Sequence, residues 1–218
     1  MLNEESVFDD LSTKAYNKIK QMIISGELPA GTKLVQEDLA NKLGVSRTPL
    51  LQAISRLTSD QLVESKTRRG AYVRFFSTED KLHIFDIRSK LEPLSARGAA
   101  EFISDEQLEE LEELLLEMQG AMYREDKKTY IALDYNFHTL IQIASKNKFI
   151  VEILSKYTPI VQSEFLLKSL ESSFNEHKEI LTSLKYKELD RVENLMFNHV
   201  DGGIRNRLKT LLEEKGNE

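Results

Sequence analysis

One carboxylate and three imidazoles in the second half of this chain have the residue types and spacing of metal ligands. Asp134 and His138 are four residues apart, so on a helix they share one face. His177 and His199 each fall on an apolar helical stripe, so we expect all four side chains to point into a helical core. The chain has no cysteine, which excludes thiolate ligands. The set predicts a divalent ion, Zn²⁺, Ni²⁺ or Mn²⁺, with positions left for water or a ligand.

Each of these histidines, taken singly, is more typical of a half-buried residue that bonds to the backbone. We interpret His83, the fourth histidine of the chain, in that way. The other three differ because they occur together with an aspartate on faces that should be apolar.

Arg88 is a fifth candidate for chemistry, because it lies on one helical line with Ile84 and Ser95. A cation buried in a core needs an anionic partner. An internal ion pair with Glu92 or another acid would supply that partner, but the spacing alone does not establish it.

The residues around these candidates predict helices only. Ser77, followed three residues later by Asp80, is typical of a helix start and marks a domain boundary. Further breaks in the pattern fall near Ser104, 125–128, 146–147, 172–173 and 185–187. Residues 77–218 are therefore predicted to form an all-α antiparallel bundle of about six helices.

Residues 1–76 have a different pattern, which predicts three helices and a β-hairpin. Helices are expected over 12–26, over about 36–43 before Gly44, and after a cap at Ser46 with Pro49 in the first turn. Residues 62–65 and 71–76 read as strands around a turn at 66–70. This order predicts a winged helix-turn-helix and a mainly α protein.

The charge of the chain points to the same segment. The net charge is −6, but residues 12–76 carry eleven Lys and Arg against five Asp and Glu. A recognition helix enters the major groove by its N-terminal end, where short polar or cationic side chains such as Ser46, Arg47 and Thr48 fit. Arg68 and Arg69 would lie in the wing and contact phosphates. Double-stranded DNA is the predicted partner.

The stretch from Leu39 to Val63, LANKLGVSRTPLLQAISRLTSDQLV, closely resembles the GntR family of transcriptional regulators. This resemblance implies that Arg47, Thr48 and the wing residue Gly70 contact operator DNA. An arginine common in the family is replaced by Leu51, so the operator sequence is expected to differ. The complete set of predicted DNA-contacting residues is Ser46, Arg47, Thr48, Gln52, Arg68, Arg69 and Gly70.

The helical half resembles the FCD ligand-binding domain of the FadR subfamily, over residues 80 to about 212. The stretch Arg88 to Ala100, RSKLEPLSARGAA, is similar to the start of that domain. The resemblance implies that Asp134, His138, His177 and His199 occupy its metal positions, and that Arg88 binds the carboxylate of an effector.

Together these features predict a regulator that binds a palindromic operator as a homodimer and responds to a small organic acid. Two alternatives remain: a metal-dependent enzyme acting on a small carboxylate, and a regulator that senses the metal itself. No uncharged apolar run approaches the ~18 residues of a membrane span, so a cytoplasmic protein is expected.

Overall fold

The protein consists of two compact units, Met1–Phe76 and Ser77–Glu218. A computed structural model describes residues 4–161, 169–202, 208 and 210. The described parts of both units are mainly helical, as the sequence predicts.

The first unit contains three helices and then a two-stranded sheet. The elements are α1 (Glu4–Ile24), α2 (Gln36–Leu43), α3 (Arg47–Ser59), β1 (Val63–Lys66) and β2 (Gly70–Val73). The strands are antiparallel, with Val63 opposite Val73 and Lys66 opposite Gly70. Apolar side chains of α1 and α3, among them Ile19, Leu50 and Leu57, form the core. This is a winged helix-turn-helix.

Helix α1 begins earlier than the sequence predicts. The expected start at Ser12 is wrong, because the helix already runs from Glu4 and Ser12 is buried within it.

The second unit contains six helices within its described residues. They are α4 (Thr78–Phe102), α5 (Asp105–Tyr123), α6 (Lys127–Ala144), α7 (Lys148–Val161), α8 (Leu170–Lys185) and α9 (Leu189–Asp201). Helix α4 packs against α6, α7 and α9, α5 packs against α6 and α8, and α8 packs against α9. This packing brings α4, α6, α8 and α9 to one region of the core.

The sequence predicts the start of α4 correctly but places the start of α8 too late. Ser77 and Asp80 form the predicted capping box at the start of α4. The predicted break at Ser172 and Ser173 is wrong, because α8 already begins at Leu170 after the cap residue Ser169. Several serines close together offer alternative caps, and the sequence alone does not choose between them.

Candidate metal centre and DNA-binding surface

Three helices bring the four predicted metal ligands to one point of the core. Asp134 and His138 lie on α6, His177 on α8 and His199 on α9. Each of the four residues exposes 1% of its surface or less. One ligand atom from each lies within 4.8 Å of the ligand atoms of the other three. The structure therefore assembles the complete set, whereas His83 is exposed on α4 instead of half-buried as expected.

The distances between the donor atoms suit a shared cation. His138 Nε2 lies 3.1 Å from His199 Nε2 and 3.3 Å from His177 Nε2. His177 Nε2 lies 3.2 Å from Asp134 Oδ1. Ligands about 2.1 Å from an ion are separated by about 3.0 Å at neighbouring octahedral positions and about 3.4 Å at tetrahedral ones. The observed separations fall in this range.

Two further carboxylates contact the outer nitrogens of the histidine rings. Glu92 Oε2 lies 2.6 Å from His138 Nδ1, and Glu176 Oε2 lies 2.6 Å from His199 Nδ1. The contact at His199 has the geometry of a hydrogen bond, which places the proton on Nδ1 and leaves the Nε2 lone pair for the cluster. At His138 the nitrogen and the carboxylate oxygen are equally close, but they do not meet the geometry of a hydrogen bond.

The facing ring nitrogens of two histidines are placed to share a cation. The Nε2 atoms of His138 and His199 lie 3.1 Å apart, so either a proton or a metal ion lies between them. A metal ion between them would also be within reach of His177 Nε2 and Asp134 Oδ1, because one ligand atom from each of the four residues lies within 4.8 Å of the others. Nitrogen and oxygen donors of this kind suit Zn²⁺, Ni²⁺ or Mn²⁺. The donor set therefore fits a divalent metal.

The electrostatics of the buried groups favour ligand-competent protonation states. Burial alone would raise the pKa of Asp134, but the contact with His177 and the positive charge around it, including that of Arg88, hold that pKa at about 2. Burial lowers the pKa of His177, against the opposing effect of Asp134. A neutral imidazole and an ionised carboxylate are the forms that bind metal.

Arg88 is fully buried on α4 and pairs with Glu92. Its Nε lies 2.5 Å from Glu92 Oε1. The internal ion pair that the sequence left as an alternative is therefore present. Burial alone would raise the pKa of Glu92, but the charge of Arg88 and the contact with His138 hold it at about 2.

The sequence did not predict the contacts of Glu92 with His138 or of Glu176 with His199. Glu92 was considered only as a partner of Arg88, four residues away. Glu92 and His138 lie on different helices, and Glu176 and His199 lie 23 residues apart, so no local spacing links them. These contacts between a carboxylate and a candidate ligand histidine can be identified only from the packed helices.

The predicted DNA-contacting residues on and before α3 are exposed. Ser46 precedes α3, and Arg47, Thr48 and Gln52 are exposed at its N-terminal end. Leu51 shares this face and is 40% exposed. The buried side of the same helix carries Leu50, Ala53, Ile54 and Leu57. A polar, cationic face at the start of a helix is the surface that enters a major groove.

The turn of the hairpin exposes the remaining predicted contacts. Arg68, Arg69 and Gly70 are all exposed. Arg68 and Gly70 have positive φ values of 62° and 102°, and the second suits glycine in particular. The tight turn directs two cations away from the sheet, as a wing on a DNA backbone requires.

Comparison with known proteins identifies both units. Residues 83–202 match the FCD domain, and residues 11–73 match the model described as "Bacterial regulatory proteins, gntR family". The chain is 27% identical over 205 residues to the Bacillus subtilis HTH-type transcriptional regulator YdhC, covering 91% of each. It is 26% identical over 195 residues to the Escherichia coli HTH-type transcriptional repressor RspR, covering 87% of this chain and 86% of RspR.

A solved structure has the same fold along nearly the whole chain. Escherichia coli McbR/YncC superposes with a TM-score of 0.81 at 23% identity, covering 93% of this chain and 98% of that protein. None of the helices in the described residues is long and apolar enough to cross a membrane.

Proposed function

The chain belongs to the GntR family of bacterial regulators and carries an FCD domain, and on this basis we propose how its two domains work together. It is a transcriptional regulator with a DNA-binding winged helix and a ligand-binding helical domain. In the proposal, residues 1–76 bind the operator. Residues 77–218 hold a divalent metal and a small carboxylate effector, and effector binding alters operator affinity.

The convergence of four buried donor atoms from three helices is the observation that carries this proposal. Asp134, His138, His177 and His199 would hold the ion. An octahedral ion such as Ni²⁺ or Mn²⁺ keeps two positions beyond these four ligands, and a carboxylate effector can occupy them. The metal would act as a Lewis acid that binds the effector's oxygen atoms.

Arg88 would bind the same effector. Its charge is among those that lower the pKa of Asp134, which is consistent with a guanidinium close to the cluster. Glu92 contacts the Nε of Arg88, so a carboxylate ligand would take the Nη edge of the guanidinium. The effector would therefore lie between the metal and Arg88.

On the DNA side, Arg47, Thr48 and Gln52 would contact bases, with Ser46 at the helix start and Arg68, Arg69 and Gly70 on the backbone. The regulator would act in the cytoplasm. It would bind an inverted repeat as a homodimer, because two-fold symmetric operators match two-fold symmetric proteins. An effector that prefers one conformation of the dimer shifts operator affinity by about 5- to 150-fold, or about 1–3 kcal/mol.

A regulator that senses the metal itself is the second candidate, and the number of donors favours it. Four protein ligands complete a tetrahedral zinc site and leave no position for an effector. The two candidates differ in the identity of the bound ion and in whether added metal alone changes operator affinity.

Elemental analysis and native mass spectrometry of the full chain, purified without chelator, test the proposal. We expect about one divalent ion per chain and a co-purified small acid. His138→Ala should still bind operator but lose the effector response, since the recognition helix lies in the other unit. A chain without metal, or a variant with a full effector response, would refute the metal-dependent mechanism.

A further inference from the structure

The carboxylate of Glu92 is shared between two partners on two helices. Glu92 lies on α4 and is 1% exposed. Its Oε1 contacts Arg88 Nε at 2.5 Å, and its Oε2 contacts His138 Nδ1 at 2.6 Å. The three groups form a continuous chain from the proposed effector-binding arginine to a proposed metal ligand.

An ion pair that served only to neutralise Arg88 does not explain this geometry. An arginine and a carboxylate pair most strongly with two parallel hydrogen bonds, whereas Glu92 gives one oxygen to Arg88 and the other to His138. Replacement of a buried ion pair by apolar residues of similar size is often neutral or stabilising, so stability alone does not account for the pair. Because its two oxygens contact different residues, Glu92 also acts on the His138 ring.

We propose that Glu92 is a positioning residue of the metal centre, which fixes the tautomer and orientation of His138 and connects that ligand to Arg88. The inference rests on the proposed metal site. A carboxylate on the outer nitrogen of a ligand histidine raises the basicity of the metal-bound nitrogen, and its loss typically weakens metal binding about 10- to 100-fold.

Glu176 provides an internal comparison. It contacts His199 Nδ1 at the same 2.6 Å, but its side chain is 35% exposed, against 1% for Glu92. Solvent screens the charge of the partly exposed Glu176, whereas the contact between Glu92 and His138 is fully buried and screened much less. Loss of Glu92 should therefore weaken metal binding more than loss of Glu176.

The test measures the affinity of the full chain for Zn²⁺, Ni²⁺ and Mn²⁺ by competition with a chelator. Glu92→Gln alone would leave Arg88 buried without its partner, so the main variant is the double substitution Arg88→Met with Glu92→Gln, which removes the pair together. We expect it to keep the circular dichroism spectrum of the chelated wild type and to bind metal about 10- to 100-fold more weakly.

Glu176→Gln should lose less affinity than the double variant. The matched control is Lys185→Met with Glu112→Gln, which removes an exposed ion pair between α5 and α8 and should bind metal like wild type. If the double variant binds metal as tightly as wild type, Glu92 serves only Arg88 and the inference fails while the metal site stands. A wild type that binds none of the three ions refutes both.

A second measurement uses wild type and does not depend on the stability of any variant. NMR of isotopically labelled histidine nitrogens in the chelated protein reports which nitrogen of each ring carries the proton, and the chain has only four histidines to assign. We expect His138 to be protonated at Nδ1. Protonation at Nε2 alone would overturn the proposal.

Discussion

Removing the metal should lower the thermal stability of the protein, by an amount set by the free metal concentration relative to the dissociation constant. A ligand that binds only the folded state stabilises it by about 2.7 kcal/mol when its free concentration is 100-fold above the dissociation constant. For a chain of 218 residues, 1 kcal/mol corresponds to about 2–4 °C in Tm. Saturating metal should therefore raise Tm by about 5–10 °C over chelated protein.

The His177→Ala variant tests whether this shift originates at the proposed site. His177 is fully buried, and its Nε2 lies within 3.3 Å of both Asp134 and His138, so its loss removes a central donor. The substitution also leaves a cavity, which lowers Tm with or without metal. The informative quantity is therefore the metal-induced shift within each variant, which should largely vanish in His177→Ala.

Circular dichroism melts of chelated protein, with and without added Zn²⁺, Ni²⁺ or Mn²⁺, measure this shift. His83→Ala is the matched control, because His83 is exposed on α4 and lies outside the cluster. It should keep the full shift. The reasoning is refuted if no ion shifts the wild-type Tm, or if His177→Ala shifts as much as wild type.

The remaining predictions concern pH, effector binding and DNA. Metal affinity, measured by chelator competition, should fall as pH is lowered. Because burial lowers the pKa of His177, protons should begin to compete with metal for its ring nitrogen only below the ordinary histidine pKa of 6.5. Metal affinity that rises on acidification would contradict this. Arg88→Lys keeps a cation beside Glu92 but loses the planar fork, so calorimetry should show retained metal and weaker binding of the co-purified acid; unchanged acid binding would exclude Arg88 as its ligand. In filter binding, Arg47→Ala should weaken specific more than nonspecific DNA binding, whereas Arg68→Ala with Arg69→Ala should weaken both about equally. Leu51→Arg should alter the selected operator sequence, and an unchanged sequence would show that the exposed Leu51 does not face DNA.

The DNA-binding unit could be predicted from sequence because its signals are local. The bounds of α2 and the N-cap position at Ser46 agree with the predicted ones, because Gly44 adopts the left-handed conformation after α2 and Pro49 fits the first turn of α3. The start of α1 was missed because Ser12 and Thr13 are residue types that cap helices, whereas Ser12 lies buried within the helix.

The four candidate metal ligands were predictable for a different reason. Asp134 and His138 share a helix face by spacing, and His177 and His199 are polar residues on apolar stripes, so each could be identified within its own helix. The contacts of Glu92 and Glu176 depend on how α4, α6, α8 and α9 pack together. Residue spacing does not predict how helices pack against one another. The partner of Arg88 therefore could not be identified from the sequence.

Binding of the full chain to duplexes selected from a random pool tests the central claim, that this protein regulates transcription by contacting operator DNA. We predict enrichment of an inverted repeat, and an affinity whose logarithm falls by about 0.9 per neutralised phosphate for each unit of log salt. Failure to enrich any duplex, or binding that does not depend on salt, would contradict the account.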